Sequence, residues 1–422
     1  MRIRKLLISA CALFLLATSA SAQTRRLWVL RNSGEMIEYD ATTFAAKQTV
    51  KVPAEAMQSP QNLMANRSGQ ILFVPSASLP LTESDLEAEH KIWFWNGHAA
   101  STIDMGLKRE VGATGSNQAV NEVAPTVALS RDGEHLFWFA NSAHRLQRGE
   151  VDLSTATTWL AWQTDLTGGA REEIASEKLP DCRCPTGSCE ESCPYGVAWM
   201  PDEGVGKYFL VTQVVTGKDS PSYKSSARYE QEAGKWVPTI LGEPLRRVLD
   251  AASPGDVIVE AIPDTGCCGW ANQSNDQTVV RLTGKKQVIF DEQATYKNSD
   301  YDVSFFTANA KLSPDLANVA MTINATAKAN QAIQLSEQGQ ANPEESKLIR
   351  KALADLPAVE VKTLDDAPKR IAFVPHASLV GWINDKEMLL IEDHLLVAYN
   401  VATGARRKST IRADDVAKVF LR

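Results

Sequence analysis

The sequence predicts an all-β fold: a β-propeller of about seven four-stranded blades, with one short helical-hairpin insertion. Two repeating patterns and a pairing of the chain ends predict it. The first pattern is a hairpin of β-branched and aromatic residues around a Gly-, Asn- or Thr-rich turn. It recurs in "MIEYDATTFAAKQTV" (36–50), "KIWFWNGHAASTIDM" (91–105), "TWLAWQTDLTGGAREEI" (158–174), "ARYEQEAGKWVPTI" (227–240), "TVVRLTGKKQVIFDE" (278–292) and "LLVAYNVATGARRKS" (395–409). Such runs form antiparallel hairpins. A repeat of about 50–60 residues without helices between strands points to small sheets stacked radially.

The second pattern precedes the hairpins and reads apolar strand, polar turn, apolar strand. It occurs in "LMANRSGQILFVPS" (63–76), "VALSRDGEHLFWF" (127–139), "AKLSPDLANVAMTI" (310–323) and "LVGWINDKEMLLIE" (379–392). Asn66-Arg67-Ser68-Gly69, Ser130-Arg131-Asp132-Gly133 and Ser313-Pro314-Asp315 share one slot. A tight turn suits these residues: Asp and Asn bond their own backbone, Pro fixes φ, and Gly accepts positive φ. This slot resembles the turn of TolB-type and WD-repeat-like bacterial propellers. That resemblance covers most of the chain as a pattern and implies the fold, not an activity. No "W-D" dipeptide ends a unit. A third echo, "YGVAWM", "CCGWAN" and "LVGWIN", puts Trp199, Trp270 and Trp382 near inner strands.

Six four-strand units follow residue 57. The stretch 27–52 supplies three more strands, and "VAKVFL" (416–421) is expected to add the fourth. Pairing the chain ends in one sheet removes exposed edges. Six blades, with 27–52 in a looser role, is the alternative count. Residues 325–357 interrupt the repeat. Asn342 is a suitable N-cap, Pro343 a first helical residue, and Glu344 and Glu345 complement the positive helix end. Leu348, Ile349, Ala352, Leu353 and Leu356 share one helical face.

The chain has 422 residues and a net charge of −7. Residues 1–22 read as a signal peptide. Arg2, Arg4 and Lys5 precede an apolar run of about 12 residues, and Ala20-Ser21-Ala22 forms a small-x-small cleavage site. The run is too short to span a bilayer, so the expected mature protein is a single domain, 23–422, in the periplasm or outside the cell. "ISAC" at Cys11 resembles a lipoprotein box only loosely, because the stronger apolar stretch follows it. Cleavage removes three basic and no acidic residues and leaves a net charge of −10. That balance argues against nucleic-acid and anionic-membrane surfaces.

Six cysteines remain: Cys182, Cys184, Cys189, Cys193, Cys267 and Cys268. An even count in an exported chain implies disulfides, and sequence alone leaves 15 connectivities. Adjacent α-carbons lie about 3.8 Å apart, below the usual disulfide span of about 4.4–6.8 Å. We therefore expect Cys267 and Cys268 to reach the 182–193 cluster, closing loops worth roughly 4 kcal/mol each. A four-thiolate zinc site lacks paired C-x-x-C spacing. A vicinal Cys267–Cys268 bond resembles those of quinone-cofactor alcohol dehydrogenase propellers, but that family's tryptophan docking motif is missing.

Linear catalytic motifs are absent: there is no G-x-S-x-G, H-E-x-x-H, phosphate loop or dinucleotide fingerprint. No two of the six histidines lie within four residues of each other. The loop "IPDTGCCGWANQSNDQ" (262–277) is the candidate ligand-binding loop, through Asp264, Trp270, Asn272 and Asn275. Disulfides would hold it preorganised. Asp291, Asp300 and Asp302 could hold calcium, or build an acid pair with Glu292, and no other cofactor is expected. The expected function is an exported, monomeric binding or scaffold module for a protein, peptide or glycan. The alternative is a secreted hydrolase, lyase or quinone-dependent oxidoreductase with its site on channel-mouth loops.

Overall fold

The computed structural model describes residues 25–73 except 59, 61, 62 and 67, and residues 91–104, 123–129, 136–145, 151–163, 171–178, 191–199 and 208–217. It also describes 221–252, 257–263, 275–282, 285–291, 305–325, 338 and 353–422. Among these, 28 strands form seven four-stranded antiparallel sheets.

Six sheets are simple meanders in chain order. Sheet 1 is β4 (Met64–Ala65), β5 (Ile71–Phe73), β6 (Lys91–Trp95) and β7 (Ala100–Asp104). Sheet 2 is β8 (Val123–Leu129), β9 (Leu136–Arg145), β10 (Val151–Gln163) and β11 (Arg171–Lys178). Sheet 3 is β12 (Glu191–Trp199), β13 (Tyr208–Gly217), β14 (Pro221–Glu232) and β15 (Lys235–Ile240). Sheet 4 is β16 (Arg247–Ala252), β17 (Val257–Pro263), β18 (Asn275–Leu282) and β19 (Lys285–Asp291). Sheet 5 is β20 (Phe305–Leu312), β21 (Asn318–Ala325), β22 (Ala358–Thr363) and β23 (Arg370–Pro375). Sheet 6 is β24 (Ala377–Trp382), β25 (Glu387–Glu392), β26 (Leu395–Asn400) and β27 (Arg406–Arg412).

The seventh, terminal sheet joins both chain ends in the order β28 (Val416–Leu421), β1 (Leu27–Arg31), β2 (Glu35–Tyr39), β3 (Ala46–Lys51). Leu27 opposes Leu421 and Val29 opposes Val419. Arg26 and Arg422 exchange backbone hydrogen bonds at 2.5 and 2.9 Å. The expected pairing of 27–52 with 416–421 is therefore observed.

The turn chemistry is local. Asn66 Oδ1 accepts from the N–H groups of Ser68 and Gln70 at 3.0 and 2.8 Å, which folds the β4–β5 turn. Ser313 and Asp315 do the same for β20–β21, with Asn318 N–H donating to Ser313 Oγ at 2.9 Å. Asp40 and Asn400 start the β2–β3 and β26–β27 hairpins by accepting two backbone N–H groups each. Both hairpins then need a left-handed residue, and Phe44 (φ 58°) stands where Gly404 (φ 70°) stands in its counterpart.

Burial is deepest in the middle strands of a sheet and falls off at the last. In the terminal sheet, four residues of β1 and four of β2 are buried, while β3 is almost wholly exposed. Strands covered on both faces read as continuous apolar runs, which is why "LWVL" shows no alternation. Each sheet lies against the next. Trp28, Leu30 and Met36 pack with Leu63, Ile71 and Trp95 of sheet 1. Strand β4 lies against β8, and β12 against β8, β9 and β10. Leu210 meets Leu245, Ala251 and Ile258. Val259, Val280 and Phe290 meet Ala310 and Met321. Val359 and Val361 meet Trp382 and Met388, and Leu389 and Leu396 meet Leu27 and Val29. Each buried large side chain is worth about 1.5–3 kcal/mol.

The tryptophan echo is corrected by this topology. Trp199 and Trp382 lie on first strands, but Trp270 falls in the connection from β17 to β18, the second and third strands of sheet 4. The matching tripeptides are thus not equivalent positions. The expected helical hairpin at 325–357 lies mostly outside the described residues. At its end, Leu353 and Leu356 pack against the core shared by sheets 4 and 5.

Candidate functional site

The first strands of the sheets carry the site. Register shifts are frequent in them, and those of β16 between Val248 and Asp250, β20 between Thr307 and Asn309, and β24 between Leu379 and Gly381 lie beside the site. A bulge adds an unpaired residue and re-aims its neighbours. Two of the residues after the bulges reach the next sheet. Asp250 Oδ2 accepts Leu312 N–H at 2.8 Å, and Asn309 Nδ2 donates to Leu379 O at 3.1 Å. Trp382 Nε1 returns a bond to Lys311 O at 2.8 Å, and Thr322 Oγ1 accepts Leu379 N–H at 2.8 Å. Between the terminal sheet and sheet 1, Lys418 Nζ donates to Leu63 O at 2.6 Å and Arg422 Nε to Ala65 O at 2.8 Å.

These strands surround a cavity of about 260 Å³. Five sheets contribute to it: Met64 from β4, Asp250 from β16, Lys311 from β20, Val380 and Gly381 from β24, and Lys418 to Leu421 from β28. Arg25, 8 % exposed, and Arg422 also line it among the described residues. The sequence reading missed this cavity. A signal exists: "Ala-Lys-apolar" recurs as Ala310-Lys311-Leu312 and Ala417-Lys418-Val419, each a cation inside an apolar first strand.

Of the site residues anticipated from sequence, only Asn275, Cys193 and Asp291 are among the described ones. Asp264, Trp270, Asn272, Cys267 and Cys268 lie outside the described residues, as do Cys182, Cys184, Cys189, Asp300 and Asp302. Asn275 opens β18 opposite Pro263. Cys193 lies in β12, where the register shifts between Glu191 and Pro194. Asp291 ends β19, and its Oδ2 accepts from Gln277 Nε2 at 3.0 Å. Among the described residues no three His, Cys, Asp or Glu side chains form a metal-sized group.

Topology relates the strand ends that flank these segments. In an antiparallel meander, successive turns alternate between the two ends of the sheet. The link from a fourth strand to the next first strand leaves from the same end as the turn between strands two and three. The segments 179–190, 264–274, 292–304 and 326–352 are all connections of these two kinds. Lys311, Val380, Gly381 and residues 419–421 instead fall in the later halves of first strands, toward the opposite turns.

Two surface carboxyls that hold turns are lowered in pKa. The Asp40 carboxyl is pushed down to about 2, first by the Thr43 N–H, then by Lys47 and the Thr42 N–H. Asp414 is lowered by His394, whose Nδ1 lies 2.9 Å from it, and by Arg412. Both groups hold turns and lie apart from the cavity wall.

No protein-family model and no curated protein matches the chain. Among solved structures it is similar to prolyl oligopeptidase B from Galerina marginata, bound to a macrocyclization substrate. Identity is 10 % and the TM-score 0.40, over 98 % of this chain and 55 % of that one, so the chain spans about half of that protein. It is similar to the dihydro-heme d1 dehydrogenase NirN, at 10 % identity and TM-score 0.34 over 95 % and 76 % of the two chains. It is also similar to AztD from Citrobacter koseri, at 10 % identity and TM-score 0.31 over 94 % and 97 %. Likeness at this level names no activity for the present chain.

Proposed function

We propose that this chain is an exported binding module, a closed propeller of seven blades that presents a recognition loop to a protein, peptide or glycan partner. The observation that carries this reading is the common end of the connections. The strand ends flanking 264–274 and 179–190, which bear Asp264, Trp270, Asn272 and five of the six cysteines, belong to one end of consecutive sheets. Disulfides between the two segments would fix the loop before a partner arrives, and preorganisation lowers the cost of binding. The flanks of the 292–304 link, with Asp300 and Asp302, and of the 326–352 insertion belong to the same end. Calcium held by Asp291, Asp300 and Asp302 would stiffen that end further.

Ring closure is supported by β28 pairing with β1 and by the terminal sheet lying against both sheet 1 and sheet 6. Export is supported by the signal-like residues 1–22, and among the described residues no helix is long and apolar enough to cross a membrane. The test is an array of peptides and glycans probed with the purified protein. Chromogenic esters, glycosides and quinone dyes are assayed in parallel. Saturable binding lost on Trp270→Ala is the expected result. Turnover without saturable binding would move the chain to the enzyme class.

A further inference from the structure

We propose that Asn96 is a modification site, where the folded chain closes a succinimide on itself and water opens it to aspartate and isoaspartate. Asn96-Gly97 is the only Asn-Gly step in the sequence. It opens the turn from β6 to β7, and Asn96 is exposed, so water reaches it. Its Oδ1 accepts the N–H groups of His98 and Ala99, both at 2.9 Å. The ring closed by the His98 bond contains both reacting atoms, Asn96 Cγ and the Gly97 nitrogen. Holding nucleophile and electrophile in one short ring removes freedom that the attack would otherwise have to lose. The two donors also stand where Oδ1 gains negative charge as the nitrogen attacks, which is the arrangement of an oxyanion hole. Among the described residues no hydrogen bond holds the Gly97 N–H, and Gly97 has no β-carbon to crowd the approach. Asn384 and Asn400 make the same pair of turn bonds, but Asp385 and Val401 follow them, and a β-carbon there crowds the backbone nitrogen.

The reaction consumes one water, releases one ammonia and moves no electrons to or from an outside reagent. The Gly97 nitrogen gives its proton to hydroxide and bonds to Asn96 Cγ, and the Cγ–Nδ2 bond breaks as ammonia leaves. Water then cleaves one of the two imide bonds. Breaking the bond from Cγ to the Gly97 nitrogen gives aspartate. Breaking the bond from the Asn96 main-chain carbonyl carbon to that nitrogen gives isoaspartate. Either product adds a negative charge, and isoaspartate also routes the main chain through Cβ, one methylene longer. The extra length falls directly after Trp95, which is buried in one cluster with Trp28 and Met36. Conversion therefore loosens the β6–β7 hairpin where sheet 1 meets the terminal sheet. Asn96 lies outside the recognition loop 264–274, so either outcome leaves the binding-module reading as it stands.

The unaltered, folded protein is incubated at mildly alkaline pH and sampled by peptide mapping, with isoaspartate read by enzymatic methylation. Conversion is expected at Asn96, to both products, at a rate that follows hydroxide concentration. Asn384 and Asn400 should stay intact over the same period. Hydrogen exchange at 91–104 should quicken in the converted chains. Gly97→Ala should slow conversion at least about tenfold, because its β-carbon raises the barrier to ring closure. The same chain unfolded in urea is the reference. Asn96 left intact in the folded protein while the unfolded chain converts overturns the assignment. So does conversion at Asn384 or Asn400 as fast as at Asn96, or an equal rate in folded Gly97→Ala. The comparison of the three asparagines needs no substitution, so it decides the case where the variant fails to fold.

Discussion

Gly69 rests against the indole ring of Trp28. A β-carbon at residue 69 would lie 2.5 Å from two atoms of that ring, and Gly69 has a φ of +80°. Trp28 is fully buried between the terminal sheet and sheet 1, so the ring has nowhere to move. Gly69→Ala should cost about 2–4 kcal/mol through backbone strain and overpacking together. Chemical denaturation would show a lowered midpoint at unchanged slope. An unchanged midpoint would contradict the contact.

Trp382 joins sheets 5 and 6 through its indole N–H on Lys311 O. Trp382→Phe keeps an aromatic ring but leaves that carbonyl without this donor and opens space in a core position. The expected loss is about 2–4 kcal/mol.

Asp40 predicts a pH signature. Its carboxyl is pushed down from 3.8 to about 2 by the Thr43 N–H foremost, so the folded chain takes up this proton less readily than the unfolded chain. The stability it contributes is present above its ordinary value and is lost as pH falls through about 2. Carbon-detected NMR titration should give a midpoint near 2. Asp40→Asn should flatten that part of the stability curve. A midpoint at the ordinary carboxylate value would remove the turn argument.

All six cysteines of residues 23–422 should be oxidised in exported protein, with at least one bond from the 182–193 cluster to Cys267 or Cys268. Such a bond should add a few kcal/mol. Non-reducing peptide mapping decides this. A Cys267–Cys268 bond with the cluster paired to itself, or free thiols carrying zinc, would redirect attention to catalysis.

Replacing 328–352 with a short Gly/Ser linker should leave a folded protein, because long surface insertions cost little loop entropy. Extending the deletion through 357 removes Leu353 and Leu356 from the core beside Met321 and Ala310. That longer deletion should lower the thermal midpoint measurably further than the first. Equal midpoints would mean that the two leucines contribute nothing.

The strands were legible because their chemistry is local. Turn slots such as Asn66–Gly69 and Ser313–Asp315 fold on their own side chains, and the pairing of 27–52 with 416–421 follows from two unpaired remnants of a repeat. The cavity was not legible. Lys311 and Lys418 are more than 100 positions apart in the chain, and only the packing of sheet on sheet brings them to one wall. Trp270 misled for the converse reason: a short tripeptide match carries no information about which strand of a sheet it follows. Phe44 in a left-handed turn was likewise hidden, because its Gly404 counterpart is visible only once the two hairpins are superposed in register.

The union of β28 with β1 also sets an order of events during synthesis. Strand β1 must wait for β28, which lies at the other end of the described strand order, so the terminal sheet stays three-stranded, with β1 unpaired along one side, until β28 has been made. Contacts this distant in sequence form slowly, and an unpaired strand side is a template for association with other chains. A newly made chain therefore depends on being kept apart from its neighbours from the emergence of β1 until that of β28. A lesion in 416–421 should be felt as aggregation of nascent protein before it is felt as a loss of stability in mature molecules.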